Sequence, residues 1–385
     1  MQNIRTITTR PSGGRLFFHG RAGTLFGFYV VNLFLTIITL GVYYFWARVK
    51  IRAYLLSQTE FDGDRFTWHG TGKELLVGFI KIAALFLILF GATLAIRFGW
   101  HHPAREVLLR LGGYIIWLFL IPAAMVGARR YRLSRVSWRG IRFSFRGRAR
   151  EFIRIFVQGA LLSVITVGLY YPFFQSDMRR YLVNHSFFGT VPFVYDGRGR
   201  DLFTRFLLTL VLAVVIIGGA FILYPVHIPS RAFRLPAPLA GIAPTAGAPT
   251  PGGRTPIDVQ AILPFMAYML FSVIVLLILW FWYAAYRHRY YWAHTSFAGA
   301  RFRSTVFAGR LIWLMFTNQL LFGVTLGLAL PWLLTRNLRF LFANVSLEGP
   351  LDLAAIQQDV QAASAAGGAL GDALDIGFLD VDLAI

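Results

Sequence analysis

Seven long apolar segments limit most strongly what this chain can fold into. Each has roughly the 17–25 residues that a helix needs to cross the hydrocarbon core of a membrane. The chain has 385 residues, of which 57% are hydrophobic and 14% charged. A soluble domain does not bury so much apolar surface, so we expect a polytopic membrane protein. The segments lie at about 24–46, 75–97, 111–128, 153–175, 203–224, 260–284 and 311–334.

The chain also repeats itself at a constant spacing, which indicates an internal duplication. Five residues, Gly20, Gly41, Tyr54, Gly70 and Glu74, recur 127 positions later as Gly147, Gly168, Tyr181, Gly197 and Asp201. A partial third copy follows 159 positions after the second. The predicted organisation is an N-terminal tail (1–14), membrane repeat unit 1 (15–144), membrane repeat unit 2 (145–306, with a Pro-rich loop at 225–259), a partial third repeat (307–349) and an acidic Ala/Gly-rich tail (350–385) that is largely disordered.

Three of the apolar segments are interrupted by a T-x-G triplet, and then become aromatic and basic. The triplets begin at Thr39, Thr166 and Thr325. If all seven segments cross the membrane, the basic residues divide 20 to 17 between its sides. If the three interrupted segments turn back, they divide 31 to 6, as the positive-inside rule expects of a cytoplasmic side. The charge count therefore favours re-entrant segments.

The polar arms between the segments alternate aromatic and polar residues around turn dipeptides such as Asp62-Gly63, a pattern typical of β-hairpins. The predicted fold class is an all-α polytopic membrane protein with internal duplication. It has four full transmembrane helices, three broken, re-entrant T-x-G segments and short β-hairpin-like cytoplasmic arms. The alternative is seven full spans in inverted repeats.

Residues 18–75 carry the combination F-x-G … T-L-G-x-Y-x-F-W-A … Y … G-x-x-F-x-[FWY]-x-G-T-G-K-E-L. In this the chain resembles the YjgN-like family of uncharacterised bacterial inner-membrane proteins, over roughly residues 15–350. The resemblance implies the bacterial inner membrane and no activity. The second unit departs from the pattern at Pro172 and Phe173.

Each broken segment carries an amide two helical turns before its threonine, so that both polar groups lie on one face. Polar groups in apolar segments are costly unless they meet a partner or water. These faces either line a solute or ion path or form hydrogen bonds between helices. The candidate path-lining residues are Asn32, Thr39, Gly41, Gln158, Thr166, Gly168, Asn318, Thr325 and Gly327.

The sequence offers no sign of catalytic or cofactor chemistry. It has no cysteine, its eight histidines lack ligand spacing, and no catalytic constellation appears. We therefore expect no enzyme activity, cofactor or metal site. The net charge is +21, which in a membrane protein indicates basic cytoplasmic arms facing anionic lipid and not nucleic acid.

Two functions follow as hypotheses. The first is a small-solute or ion conduit whose path is lined by the T-x-G breaks. The second is a membrane scaffold whose basic arms bind anionic lipid headgroups, an acidic partner protein or the chain's own acidic tail. The candidate binding residues are Arg139, Arg142, Arg146 and Arg148. The predicted location is the bacterial inner membrane, multi-pass, with both termini cytoplasmic.

Overall fold

Short strands and helices alternate along the chain. The structure is a computed structural model that describes residues 14–99, 102, 104–223, 259–350 and 356. The strands described are β1 (Gly14–Phe18), β2 (Thr59–Phe61), β3 (Asp64–Trp68), β4 (Val136–Trp138), β5 (Ile141–Phe145), β6 (Ser186–Phe188), β7 (Val191–Tyr195), β8 (Thr295–Phe297), β9 (Ala300–Ser304) and β10 (Val345–Glu348). The helices described are α1 (Ala22–Ile38), α2 (Tyr44–Ser57), α3 (Gly72–Gly99), α4 (Arg105–Ser134), α5 (Ala149–Ile165), α6 (Tyr171–Asn184), α7 (Gly199–Leu223), α8 (Val259–Ala293), α9 (Ala308–Val324) and α10 (Leu330–Asn344).

The order strand, helix, helix, strand occurs five times in succession. We number these stretches units I to V: β1 to β2, β3 to β4, β5 to β6, β7 to β8 and β9 to β10. Units I, III and V contain short helices of 14 to 17 residues, joined at the T-x-G triplets. Units II and IV contain longer helices of 25 to 35 residues.

The ten strands form one closed antiparallel barrel. Two-residue turns connect β2 to β3, β4 to β5, β6 to β7 and β8 to β9. Asp62-Gly63 and Arg139-Gly140 have positive φ at both turn positions (48° and 84°, 49° and 78°), as type I′ turns require. The first strand, β1, pairs with the last, β10, with Gly14 opposite Leu347. The barrel thus closes by joining the two ends of the chain that the structure describes.

The barrel interior is filled by side chains. Along β9, Phe302 is buried while its neighbours Arg301 and Arg303 are exposed, so alternate residues face inward. The inward residues are mostly aromatic and contact one another across hairpins; for example, the ring centroids of Phe193 and Phe297 lie 4.6 Å apart. Other members of this core are Trp138, Phe188, Ala300, Val345, Leu347 and Ile356.

Chain direction places every helix junction at one edge of the barrel. Odd-numbered strands end there and even-numbered strands begin there, while the two-residue turns lie at the opposite edge. Each helical hairpin therefore leaves the barrel and returns to it. The described residues up to Thr204 and from Ala285 onward form one compact unit, and Arg205–Ala284 form a second.

The prediction of an all-α fold is wrong. The arms are strands of a single closed barrel. The alternation of aromatic and polar residues within one arm indicates a local hairpin, but it does not show which strands of other arms pair with it. Closure depends on pairings between residues far apart in sequence, such as Phe66 with Trp138 and Phe193 with Phe297, which no local pattern contains.

The prediction of three re-entrant segments is also wrong, and so is the alternative of seven full spans. Each T-x-G segment is a pair of short helices whose two outer ends are both held by the barrel. The pair is therefore neither one long spanning helix nor an independent membrane element. Four helices are long and apolar enough to cross a membrane: Gly72–Gly99, Arg105–Ser134, Gly199–Ile222 and Leu263–Ala293.

An aromatic-x-Gly triplet occurs five times in the sequence. Those that begin at Phe18, Trp68, Phe145 and Tyr195 each join a strand to a helix, whereas the one that begins at Phe307 lies at the start of α9. Three predicted regions fall largely outside the described residues: the N-terminal tail (1–14), the Pro-rich loop (225–259) and the C-terminal tail (350–385).

Candidate functional site

The threonines of the T-x-G triplets close the tips of the short helical hairpins. The Thr39 hydroxyl donates to the Leu35 carbonyl (2.8 Å) and accepts from the Tyr43 backbone N–H (2.9 Å). Thr166 and Thr325 make the equivalent pair of contacts in their own hairpins. Each threonine thus bonds to the end of one helix and caps the start of the next.

The other two residues of each triplet have left-handed backbone conformations. Leu40 has φ 50° and Gly41 has φ 92°, and Val167, Gly168, Leu326 and Gly327 repeat these values closely. The glycine permits the sharp reversal because it lacks a Cβ. The middle residue is apolar and almost fully exposed in all three hairpins, at 94%, 92% and 91%. The triplets are therefore apolar helix–helix turns.

The three predicted amides do not form one polar site. Asn318 donates to the Asn337 side-chain oxygen (2.6 Å) and accepts from Arg336 (3.2 Å), so it joins α9 to α10. Asn32 is only 4% exposed, and its Nδ2 has no hydrogen-bond partner among the described residues. In unit III, the position equivalent to Asn32 and Asn318 is Gly159 and not Gln158. Gly159 lies 127 residues after Asn32 and 159 residues before Asn318, which are the spacings of the repeats.

Gly159 allows the two helices of unit III to approach closely. A Cβ at this position would lie 2.1 Å from Cδ2 of Phe174. Beside this crossing lies an open groove of about 760 Å³ between α5 and α6, and Gln158 lines it. Its barrel end is polar, with Tyr181, Asn184 and His185. Its turn end is apolar, with Leu161, Leu162 and Ile165.

Asp177 and Arg180 lie side by side in this groove. Arg180 Nη1 is 3.7 Å from an Asp177 carboxylate oxygen, and both side chains are nearly half exposed. Burial raises the pKa of Asp177, and Arg180 opposes that rise. Burial, and then the charge of Asp177, raise the pKa of Tyr170. Burial and a hydrogen bond to Glu151 raise the pKa of Tyr181 to about 12.

One of the four predicted binding arginines, Arg139, lies in the turn between units II and III, and the other three lie in unit III. Arg139 occupies a barrel turn and bonds to Asp62 and Asp64. Arg146 is half-buried, 3.9 Å from the ring centroid of Phe187, and donates to the Gly189 carbonyl. Arg142 is exposed on the outer face of β5, and Arg148 is 83% exposed at the start of α5. Arg139 and Arg146 therefore already make structural contacts.

Sequence reasoning missed a set of contacts at the barrel–helix junction. A tyrosine near the end of α2, α4, α6 and α8 bonds to the start of the preceding helix in the same unit. For example, Tyr181 donates to the Arg148 carbonyl at 2.8 Å. The other three are Tyr54, Tyr131 and Tyr290.

The residue before such a tyrosine connects one unit to the next. Arg130 donates to the Gly147 carbonyl (2.6 Å) and Arg180 to the Gly197 carbonyl (2.7 Å). In unit V, where Phe340 replaces the tyrosine, Arg339 donates to the Gly20 carbonyl (2.7 Å) and so joins the last unit to the first. The sequence signal is the tripeptide Arg-Arg-Tyr, which occurs at 129–131 and 179–181.

Two arginines and a histidine are also buried at the same junction. Arg129 is 5% exposed and lies 3.2 Å from the Ser186 hydroxyl, and Arg179 is 3% exposed with its guanidinium 4.6 Å from the Tyr291 ring centroid. His288, 8% exposed, bonds to Ser304 at 3.0 Å. In the sequence these residues belong to basic runs that resemble ordinary cytoplasmic loops, so their burial could not be recognised. Within the described ranges, no group of three His, Cys, Asp or Glu residues could hold a metal ion.

The chain resembles known proteins along most of its length. Residues 14–373 match the family described as "Bacterial protein of unknown function (DUF898)". "Inner membrane protein YjgN" of Salmonella typhimurium is 26% identical over 382 residues, which covers 89% of this chain and 91% of that protein. The Escherichia coli protein of the same name is 35% identical over 128 residues, 33% of this chain and 30% of that protein. No solved structure matches.

These relatives confirm the resemblance that the sequence motifs indicated. They are named inner membrane proteins, and the four long apolar helices fit a membrane protein. Because the family match extends over most of the barrel and helices, the chain belongs to the DUF898 family of bacterial proteins.

Proposed function

We propose that the protein is a multi-pass inner-membrane scaffold whose barrel binds an acidic partner protein. The observation that supports this function is a girdle of exposed arginines around the barrel. The second residue of four of the five long strands is an exposed arginine: Arg15, Arg65, Arg142 and Arg301. The fifth strand has Pro192 at this position.

The position of the girdle favours a soluble partner over lipid headgroups. The second residue of a five-residue strand lies about 10 Å from the strand end that joins the helices. If the apolar helices lie in the membrane, the girdle faces away from it, on the cytoplasmic side in the topology we propose. Arg301 bonds to Asp196 at 3.1 Å, but neither Arg15 nor Arg65 forms an ion pair with an acid in the described part of the chain. Their charge is available to a partner.

The barrel offers its outer surface for binding because its interior is occupied by aromatic side chains. Binding through such exposed charges depends strongly on salt. The acidic tail, with seven acidic and no basic residues from Glu348 onward, is a competing occupant within the same chain.

The scaffold is tested by binding of a polyglutamate peptide to the purified protein at low and high salt. Replacing Arg15, Arg65, Arg142 and Arg301 by Gln should weaken binding about tenfold or more. The control replaces four exposed arginines on the helices, Arg97, Arg110, Arg154 and Arg310, by Gln. Binding that does not change with salt, or equal losses in both variants, would contradict the proposal. A preference for phosphatidylglycerol vesicles over polyglutamate would assign the girdle to lipid.

A conduit for a small solute or ion is the second candidate. The buried Asn32 supports it, because its amide nitrogen has no partner among the described residues and could bind a solute. The path would run along the candidate residues of the short hairpins. Replacing both Asn32 and Asn318 by Leu should then abolish flux in proteoliposomes without lowering the amount of protein. Normal flux through the well-folded double variant would reject the conduit.

A further inference from the structure

The open groove between α5 and α6 has the dimensions and polarity of a lipid site. Its volume of about 760 Å³ lies within the roughly 300–1,000 Å³ typical of small-molecule sites. Along the groove, Asn184 and His185 lie nearest the barrel, Asp177 and Arg180 lie further along, and Leu162 and Ile165 lie at the turn. Apart from Tyr170 at the turn, most polar lining residues lie in the half of the groove towards the barrel, and Leu161, Leu162 and Ile165 line the end at the turn.

The neighbouring helix gives this gradient a direction relative to the membrane. α5 packs against α4, which is long and apolar enough to cross a membrane. From its start at the barrel, α5 extends about 25 Å to Ile165, and its Phe152 packs in one buried cluster with Val126 of the apolar part of α4. A lipid in the groove would accordingly have its headgroup towards the barrel and its acyl chains towards the turn.

The charges in the groove select the type of headgroup. Asp177 and Arg180 present opposite charges 3.7 Å apart. A headgroup with an ammonium and a phosphate can pair with both, whereas a purely anionic headgroup would be repelled by Asp177. At the position of Asp177, units I and V have cations, Lys50 and Arg336. Only unit III among these short hairpins therefore has this mixed pair.

We propose that the groove between α5 and α6 binds a zwitterionic phospholipid of the phosphatidylethanolamine type. The ammonium binds Asp177, the phosphate binds Arg180, and the acyl chains lie against Leu161, Leu162 and Ile165. Gln158 makes no side-chain hydrogen bond to a described residue and lines the same groove, so its amide is available to the headgroup.

The site is tested by measuring which lipids the purified full-length protein retains, using native mass spectrometry in equal mixtures of phosphatidylethanolamine and phosphatidylglycerol. We expect the protein to retain phosphatidylethanolamine preferentially. Asp177→Asn should lower this retention about tenfold, because one charge-assisted bond is lost. Asp177→Lys should shift the preference towards phosphatidylglycerol. The matched control is Lys50→Asn, at the equivalent position of unit I, which should leave retention unchanged.

A second measurement uses only the native chain. Phosphatidylethanolamine with a photoreactive acyl chain should cross-link to peptides containing residues 155–185. Equal retention of the two lipids, unchanged retention in Asp177→Asn, or cross-links confined to other helices would overturn the proposal. None of these results depends on polyglutamate binding, so the groove and the scaffold function succeed or fail separately.

Discussion

At the residue scale, single tyrosine hydroxyls hold four of the five helical hairpins closed at the barrel. Tyr181 contacts the Arg148 carbonyl at 2.8 Å and the Glu151 carboxylate at 3.1 Å. These bonds connect the end of α6 to the start of α5. The contact is local in space but spans more than 30 residues of sequence.

Replacing Tyr181 by Phe should therefore lower the free energy of unfolding by about 1–2 kcal/mol, because the hydroxyl proton shared between the Arg148 carbonyl and the Glu151 carboxylate is lost and little packing changes. Tyr170→Phe is the control, since the Tyr170 hydroxyl makes no side-chain hydrogen bond to a described residue. Thermal unfolding in detergent measures both variants. Equal melting temperatures for the two variants would contradict the role of Tyr181.

Asp177 should make stability depend on pH. Because burial raises its pKa in the folded state, the protonated form stabilises the fold below the ordinary carboxyl range, and this stabilisation is lost as pH rises through the raised pKa. The Asp177→Asn variant cannot ionise at this position, so it does not lose stability in this way as the pH rises. The melting temperature of the variant should rise relative to the native protein as the pH increases above about 4.

The size of this pH effect is limited by solvent. The Asp177 side chain is 44% exposed, so the difference should stay below about 1 kcal/mol. A variant that is less stable than the native protein at neutral pH would show instead that the ion pair with Arg180 outweighs the cost of burying the carboxylate.

At the element scale, the T-x-G triplet is the clearest link between sequence and structure. The sequence alone predicted that each apolar segment is interrupted there, and each triplet is indeed a turn between two helices. The membrane arrangement assigned to those segments was wrong, because the barrel that holds both ends of each hairpin could not be seen in a local pattern.

Gly168→Ala should lower the free energy of unfolding by about 1–2 kcal/mol. The glycine has φ 86°, and a Cβ there would meet no atom within 4 Å, so the cost is one of backbone conformation alone. Gly91→Ala in α3 is the control, because its surroundings are equally open and its backbone is helical; it should be neutral or stabilising. A neutral Gly168→Ala in the melting experiment would contradict the strained turn.

At the scale of the whole molecule, the barrel determines how the five units are combined. Closure requires β1 to pair with β10, and the Arg339–Gly20 bond joins the same two units beside the helices. Ile356 lies just beyond the final strand and is 6% exposed within the aromatic core of the barrel. The chain beyond β10 therefore contributes to the core of the fold.

Ile356→Ala should lower the free energy of unfolding by about 2 kcal/mol, the lower end of the cost of such truncations in a core. Val194→Ala, on the exposed face of β7, is the control and should change little. The measurement is again thermal unfolding in detergent. Equal small effects would show that Ile356 is not part of the core.

The amino-acid sequence by itself determined the apolar segments, the interruptions at the T-x-G triplets, the hairpin character of the arms and the family. Each of these follows from residues close together in the chain, because helix length, turn chemistry and strand alternation are local properties. Only the tertiary structure decided that the arms form one closed barrel, that the equivalent of Asn32 in unit III is Gly159, and that Arg129 and Arg179 are buried. These features arise from pairing and packing between residues far apart in sequence, which a local pattern does not specify.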